Sequence, residues 1–113
     1  MVNQTAVIIT QEEALNTVKY FISRVRGMGI NIKRAFLFGS FARNNQHEWS
    51  DIDVALVADN FIGLSVVDAD PFLKLNVLPE FSSIEVHTFP TTSLTDGDAF
   101  LNEVVLRTGI EIN

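Results

Sequence analysis

The chain of 113 residues has no cysteine, so disulfides, thiolate zinc sites and thiol nucleophiles are excluded together, and a reducing compartment fits. Three prolines and six glycines are too few for a linker-rich or low-complexity chain. Long apolar runs are missing as well. The opening ten residues carry no basic start, and their purely apolar run, residues 6–9, is too short for a signal-peptide core or a membrane span. The expectation is a soluble cytoplasmic protein with no membrane partner. Basic residues are scarce: eight Lys and Arg against fourteen Asp and Glu leave a formal charge of -6 and a pI near 4.7. Holding nucleic acid through its phosphates needs clustered positive charge. The densest groupings here, Arg24 with Arg26 and Lys33 with Arg34, read as solvated charges flanking a helix-to-strand turn. No direct nucleic-acid partner is therefore expected.

What is abundant is core material. Hydrophobic residues make up 47% of the chain, nine of them Phe, and mean hydropathy is positive, enough for one buried core and one domain over residues 1–113. Thr10 followed by Glu13 forms a capping-box pattern, and Ala14, Leu15, Val18, Phe21, Ile22 and Val25 keep helical spacing, so a helix is expected over residues 11–27. Residues 34–38 are a short aromatic-rich run ending at Gly39, which suits a buried strand. Residues 40–44 would then open a helix, residues 44–48 form a polar loop, and a second strand spans 51–57. Asp70-Pro71 marks a third helix, ending near Pro79. Residues 83–89 give a third strand and 90–97 a loop. Asp98 caps a last helix with the stripe Leu101, Val104 and Val105, closed by Gly109, and residues 110–112 add a short edge strand. The fold class is α/β (α+β), with a small mixed sheet of three to four strands flanked by about four helices.

Two short stretches carry chemistry. In a strand, side chains two apart share a face, so Asp51 and Asp53 point one way while Ile52, Val54 and Leu56 face the core. Two carboxylates that close repel each other, and hard oxygen ligands of this type suit Mg²⁺ with its waters and substrate phosphates. Glu85 alternates in the same way, sharing a face with His87 and Phe89 opposite Ile84 and Val86. If its strand adjoins that of Asp53, three carboxylates converge. Such a set holds two metals about 3.5–4 Å apart for in-line phosphoryl displacement, and Glu85 can accept the proton of an attacking hydroxyl. Ahead of the acids, Gly39 lets backbone pass close to a phosphate, and Ser40 adds a hydroxyl to N–H groups aimed at an anion. Arg43, one turn later, can neutralise phosphate charge. A fixed Gly-Ser followed at this spacing by Asp-x-Asp arises by accident in roughly one chain per thousand of this length, so a joint role outweighs coincidence.

Each residue also has an ordinary reading. Asp51 and Asp53 can mark a strand start facing water, Glu85 a solvent-facing edge position, and Arg43 a structural ion pair. His47 reads as an exposed loop residue, His87 as part of a polar sheet edge in preference to ordering the Glu85 carboxylate, and Trp49 as an anchor to the core or to a partner.

Gly39-Ser40-Phe41-Ala42-Arg43, followed by Ser50-Asp51-Ile52-Asp53-Val54, resembles the signature of minimal nucleotidyltransferases of the DNA polymerase beta superfamily. With Glu85 in the place of the third acid, the resemblance spans about residues 10–113. Two departures are Asn44, where many relatives carry Gly, and Glu rather than Asp at position 85. Asn tolerates a left-handed backbone better than most residues, so the first departure is mild. The resemblance implies transfer of AMP from ATP to a hydroxyl with release of pyrophosphate and a Mg²⁺ cofactor. It assigns Asp51, Asp53 and Glu85 to metal and catalysis, and Gly39, Ser40 and Arg43 to the nucleotide. Stand-alone members resemble antitoxins paired with an all-helical HEPN-domain ribonuclease toxin, some expected to adenylylate a tyrosine of that toxin. A hetero-oligomer with the toxin follows, or a homodimer when alone. The alternatives are neutralisation by complex formation without catalysis, and a catalytic subunit that modifies a small molecule.

Overall fold

A computed structural model describes residues 8–112. Residues 6 and 7 of the opening apolar run lie outside the described residues. Helix α1 (Gln11–Gly27) starts as its sequence dictates: the Thr10 hydroxyl accepts from the Glu13 N–H at 3.0 Å, and the Glu13 carboxylate accepts from the Thr10 N–H at 2.8 Å. Its stripe Ala14, Val18, Phe21, Ile22 and Val25 is buried.

Four strands follow: β1 (Ile32–Phe38), β2 (Ile52–Ala58), β3 (Ile84–Pro90) and β4 (Ile110–Ile112). They form one mixed sheet in the order β3-β2-β1-β4, with β1 antiparallel to both β2 and β4 and β2 parallel to β3. One face, carrying Leu37, Ile52, Val54, Leu56 and Ile84, packs with α1 and with Phe61, Phe72, Leu75 and Phe81 of the β2–β3 crossover. The other face, carrying Phe36, Phe38, Ala55, Val57 and Phe89, packs with Leu101 and Val105 of the C-terminal helix. Eight of the nine phenylalanines are buried and Phe100 is exposed. At about 1.5–3 kcal/mol for each large apolar side chain removed from water, these two layers hold the sheet.

Two expected helices are corrected. Residues 40–44 form a hydrogen-bonded turn rather than a helix: the Arg43 N–H reaches the Gly39 carbonyl at 3.2 Å, but Asn44 has φ 57° and ends the helical path. The single helix expected from Asp70 to Pro79 is replaced by short pieces. These are a 3₁₀ turn Asp70–Phe72, α3 (Leu73–Asn76) and a 3₁₀ turn Pro79–Phe81, preceded by the short α2 (Ser65–Asp68). Pro71 and Pro79 each lack an N–H, while Phe72, Leu75 and Phe81 are pulled separately into the core. The last helix, α4 (residues 99–108), is capped by Asp98, whose carboxylate accepts from the Leu101 N–H at 2.9 Å, and its middle, Leu101–Leu106, is π-helical. Gly109 closes it where backbone packs tightly: a Cβ there would overlap the Val105 carbonyl and lie 3.0 Å from that of Leu37.

Candidate functional site

Strand register assembles the site. Asp53 on β2 pairs with Glu85 on β3 and with Phe38 on β1, so one rung of the sheet carries an acid, an acid and the residue that leads into Gly39. His87 pairs with Ala55, two positions further along the same face. One ligand atom from each of Asp53, Glu85 and His87 lies within 4.8 Å of the others, a spacing that fits a bound cation. The His87 Nε2 is 3.6 Å from the Asp53 Oδ1 and 3.4 Å from the Glu85 Oε1. Asp51 is exposed one residue before β2 and stands outside this trio. Glu85 occupies an edge strand with its side chain 54% exposed, yet it turns toward the shared site.

Gly39, at φ 77°, packs directly on the Asp53 side chain: a Cβ at position 39 would overlap the carboxylate oxygen and lie 3.2 Å from its Cγ. The turn that follows is held from three sides. Phe41 is buried in the core, the Gln11 amide donates to the carbonyls of Phe41 at 2.9 Å and Ala42 at 3.1 Å, and the Asn45 N–H donates to the Ser40 carbonyl at 3.0 Å. Ser40 is half-buried on this turn, with no helix behind it. Arg43 is exposed, and among the described residues no carboxylate pairs with it, so its charge is available to an anion. The loop before β2 folds on itself: the Ser50 hydroxyl accepts from the His47 N–H at 2.9 Å, and the His47 Nδ1 accepts from the Trp49 N–H at 3.2 Å. Trp49 is 81% exposed, which corrects its reading as a core anchor.

The residue underestimated from sequence is His87. Its ring meets Phe38 edge-on at 5.0 Å and stacks on Phe100 at 5.9 Å, with Phe89 stacked on the other partner, Phe100, at 6.2 Å. This aromatic frame fixes where Nε2 points. The signal was available, since strict alternation already put His87 on the Glu85 face. What alternation alone lacks is the β2–β3 register that brings Asp53 alongside.

A mixed sheet with a carboxylate on each of two adjoining strands and a glycine turn packed against one of them defines a nucleotidyltransferase-type domain. The family model for "Polymerase beta, Nucleotidyltransferase" matches residues 8–113, and the chain belongs to that family. Among solved structures, the chain is similar to a Sulfolobus solfataricus protein provisionally described as a nucleotidyltransferase, with a TM-score of 0.64 and 18% identity. The match covers 98% of this chain and 89% of that one, and at this identity it speaks for the fold. No curated protein matches the chain at a significant level. Among the described residues, no helix is long and apolar enough to cross a membrane.

Proposed function

We propose that this protein is a Mg²⁺-dependent nucleotidyltransferase that transfers AMP from ATP to a hydroxyl, most simply a tyrosine, of a cognate HEPN-domain ribonuclease, and so acts as its antitoxin. The observation that carries the transferase reading is the Asp53–Glu85 rung with Gly39 packed on the Asp53 carboxylate, which sets a two-strand acid pair against a tight backbone turn. The donor set fits a divalent ion: the Asp53 and Glu85 carboxylates lie close enough together to share one. Asp53 and Glu85 would hold the ion. Bound there, it would neutralise triphosphate charge and make the acceptor hydroxyl easier to deprotonate.

The remaining work falls to the chain itself. The amides and hydroxyl of the Gly39-Ser40 turn face the triphosphate, and the unpaired Arg43 guanidinium screens its charge. The acceptor oxygen bonds to the α-phosphorus as the bond from that phosphorus to the α–β bridging oxygen breaks. Pyrophosphate leaves, and the hydroxyl proton passes to Glu85. The test is to incubate the protein with ATP, Mg²⁺ and the protein encoded beside it, then weigh that partner by mass spectrometry. A mass gain of one adenylyl group, lost with Asp53→Asn, is expected; an unchanged mass with ATP intact counts against transfer. A second reading, neutralisation by complex formation alone, is favoured by Trp49, whose 81% exposure suits a protein-binding surface.

A further inference from the structure

The geometry points to His87 as a nitrogen ligand of the cation, so that the site its carboxylates offer to Mg²⁺ binds a first-row transition ion more tightly. The inference deepens the metal site of the proposed transferase and rests on that reading for its setting, but not on transfer taking place. Its starting point is an atom with two ion-pair neighbours but no hydrogen bond. The His87 Nε2 is buried and makes no hydrogen bond, although it faces carboxylate oxygens at 3.4 and 3.6 Å. The two carboxylate contacts are of ion-pair length but lack hydrogen-bonding geometry, so Nε2 converges with both acids on a shared point without being bonded to either. A cation placed among the three would take the nitrogen lone pair and balance both carboxylates.

Two further features favour ligation over a merely structural histidine. The ring is fixed between Phe38 and Phe100, so Nε2 is held toward the acids with little freedom to turn away. The three donors also come from a rigid element pair, since Asp53 and Glu85 are register partners and His87 stands two residues along β3. The imidazole nitrogen adds little for Mg²⁺, which takes oxygen ligands and keeps its waters, so Mg²⁺ would rest on the two carboxylates alone. The three donors together are a better set for ions that accept nitrogen, among them Mn²⁺ and, more strongly, Co²⁺.

The experiment uses the full chain without nucleotide or partner. Pulsed electron paramagnetic resonance of the Mn²⁺-loaded wild-type protein, grown with ¹⁵N-histidine, is expected to show coupling to one histidine nitrogen. No variant is needed for that measurement, so misfolding cannot obscure it. Calorimetric titrations with Co²⁺ and with Mg²⁺ are then compared between wild type and His87→Asn. Co²⁺ affinity is expected to fall by about tenfold or more while Mg²⁺ affinity changes much less, and Asp53→Asn weakens both. Absence of histidine coupling, or an equal fold loss for the two cations on His87→Asn, overturns the inference. Histidine coupling without any adenylyl transfer leaves the ligand assignment standing and removes the proposed function. Transfer supported by Mg²⁺ without histidine coupling does the reverse.

Discussion

The Asp53 carboxylate is squeezed between the Gly39 backbone on one side and Glu85 with His87 on the other. Gly39→Ala therefore acts twice. It forces a side chain into a left-handed conformation, costing about 1–2 kcal/mol, and it displaces the carboxylate it would overlap. Chemical denaturation should show that loss of stability, and calorimetry should show weakened cation binding in the same variant. Asp53→Asn should behave in the opposite way. It relieves repulsion with Glu85, so in chelator the melting temperature is expected to equal or exceed that of wild type. Added Mn²⁺ should raise the melting temperature of wild type, as any ligand bound only by the folded state does, and leave Asp53→Asn nearly unmoved. A variant that is still stabilised by the ion would place the cation somewhere other than the β2–β3 rung.

Strand β4 is only three residues long, and its attachment to β1 is reinforced by a two-pronged ion pair. Arg34 Nε and Nη2 each donate to a Glu111 carboxylate oxygen at 2.8 Å, and the guanidinium lies 4.9 Å from the Phe36 ring centre. The hydrogen bond from Arg34 pulls the Glu111 carboxyl below its usual 4.5, while the same bond pushes the Arg34 guanidinium further up. Because the folded value of Glu111 is depressed, the pair's stabilisation is complete above about pH 4.5 and disappears as pH falls through the lowered value. Arg34 stays charged throughout and adds no slope. Both side chains are about two-fifths exposed, so solvent screening holds the contribution under about 1 kcal/mol. Glu111→Gln should lower stability by that small amount at neutral pH and converge with wild type in acid, as followed by urea denaturation across pH. At the same scale lies the boundary between what sequence reveals and what it hides. Helix α1 was legible because its 3.6-residue period matches burial, and β1 and β2 because short apolar runs bounded by polar residues or glycine suit strands covered on both faces. The turn at 40–44 was not, because the left-handed Asn44 ends the path after one helical bond, which no hydrophobic spacing reports. The crossover between β2 and β3 was misjudged for a different reason: its apolar residues are drawn one at a time into a core layer shared with α1, a tertiary demand that overrides local helix preference.

Across the whole molecule the sheet has both faces covered, by α1 and the crossover on one side and by α4 on the other, and the acidic rung opens at its edge beside β3. Asp53 and Glu85 were legible as candidates from alternation, and their meeting required only that β2 and β3 be neighbours. The third donor depended on the exact register, which places His87 level with Ala55 rather than with an acid. On the proposed function, binding and chemistry draw on separable parts of this architecture. The formal charge of -6 can steer a basic partner, and the exposed Trp49 and Phe100 offer apolar contact, whereas the proposed transfer needs the carboxylates themselves. Replacing both Asp51 and Asp53 with Asn removes two charges without touching either aromatic or the core layers. With the HEPN-type ribonuclease as partner, the doubly substituted protein is expected to co-elute as a complex in size-exclusion chromatography, weakened several-fold at most, while failing to block RNA cleavage by that partner. Full inhibition by the doubly substituted protein would instead make sequestration the mechanism. Loss of the complex itself would mean that the acids form part of the docking surface.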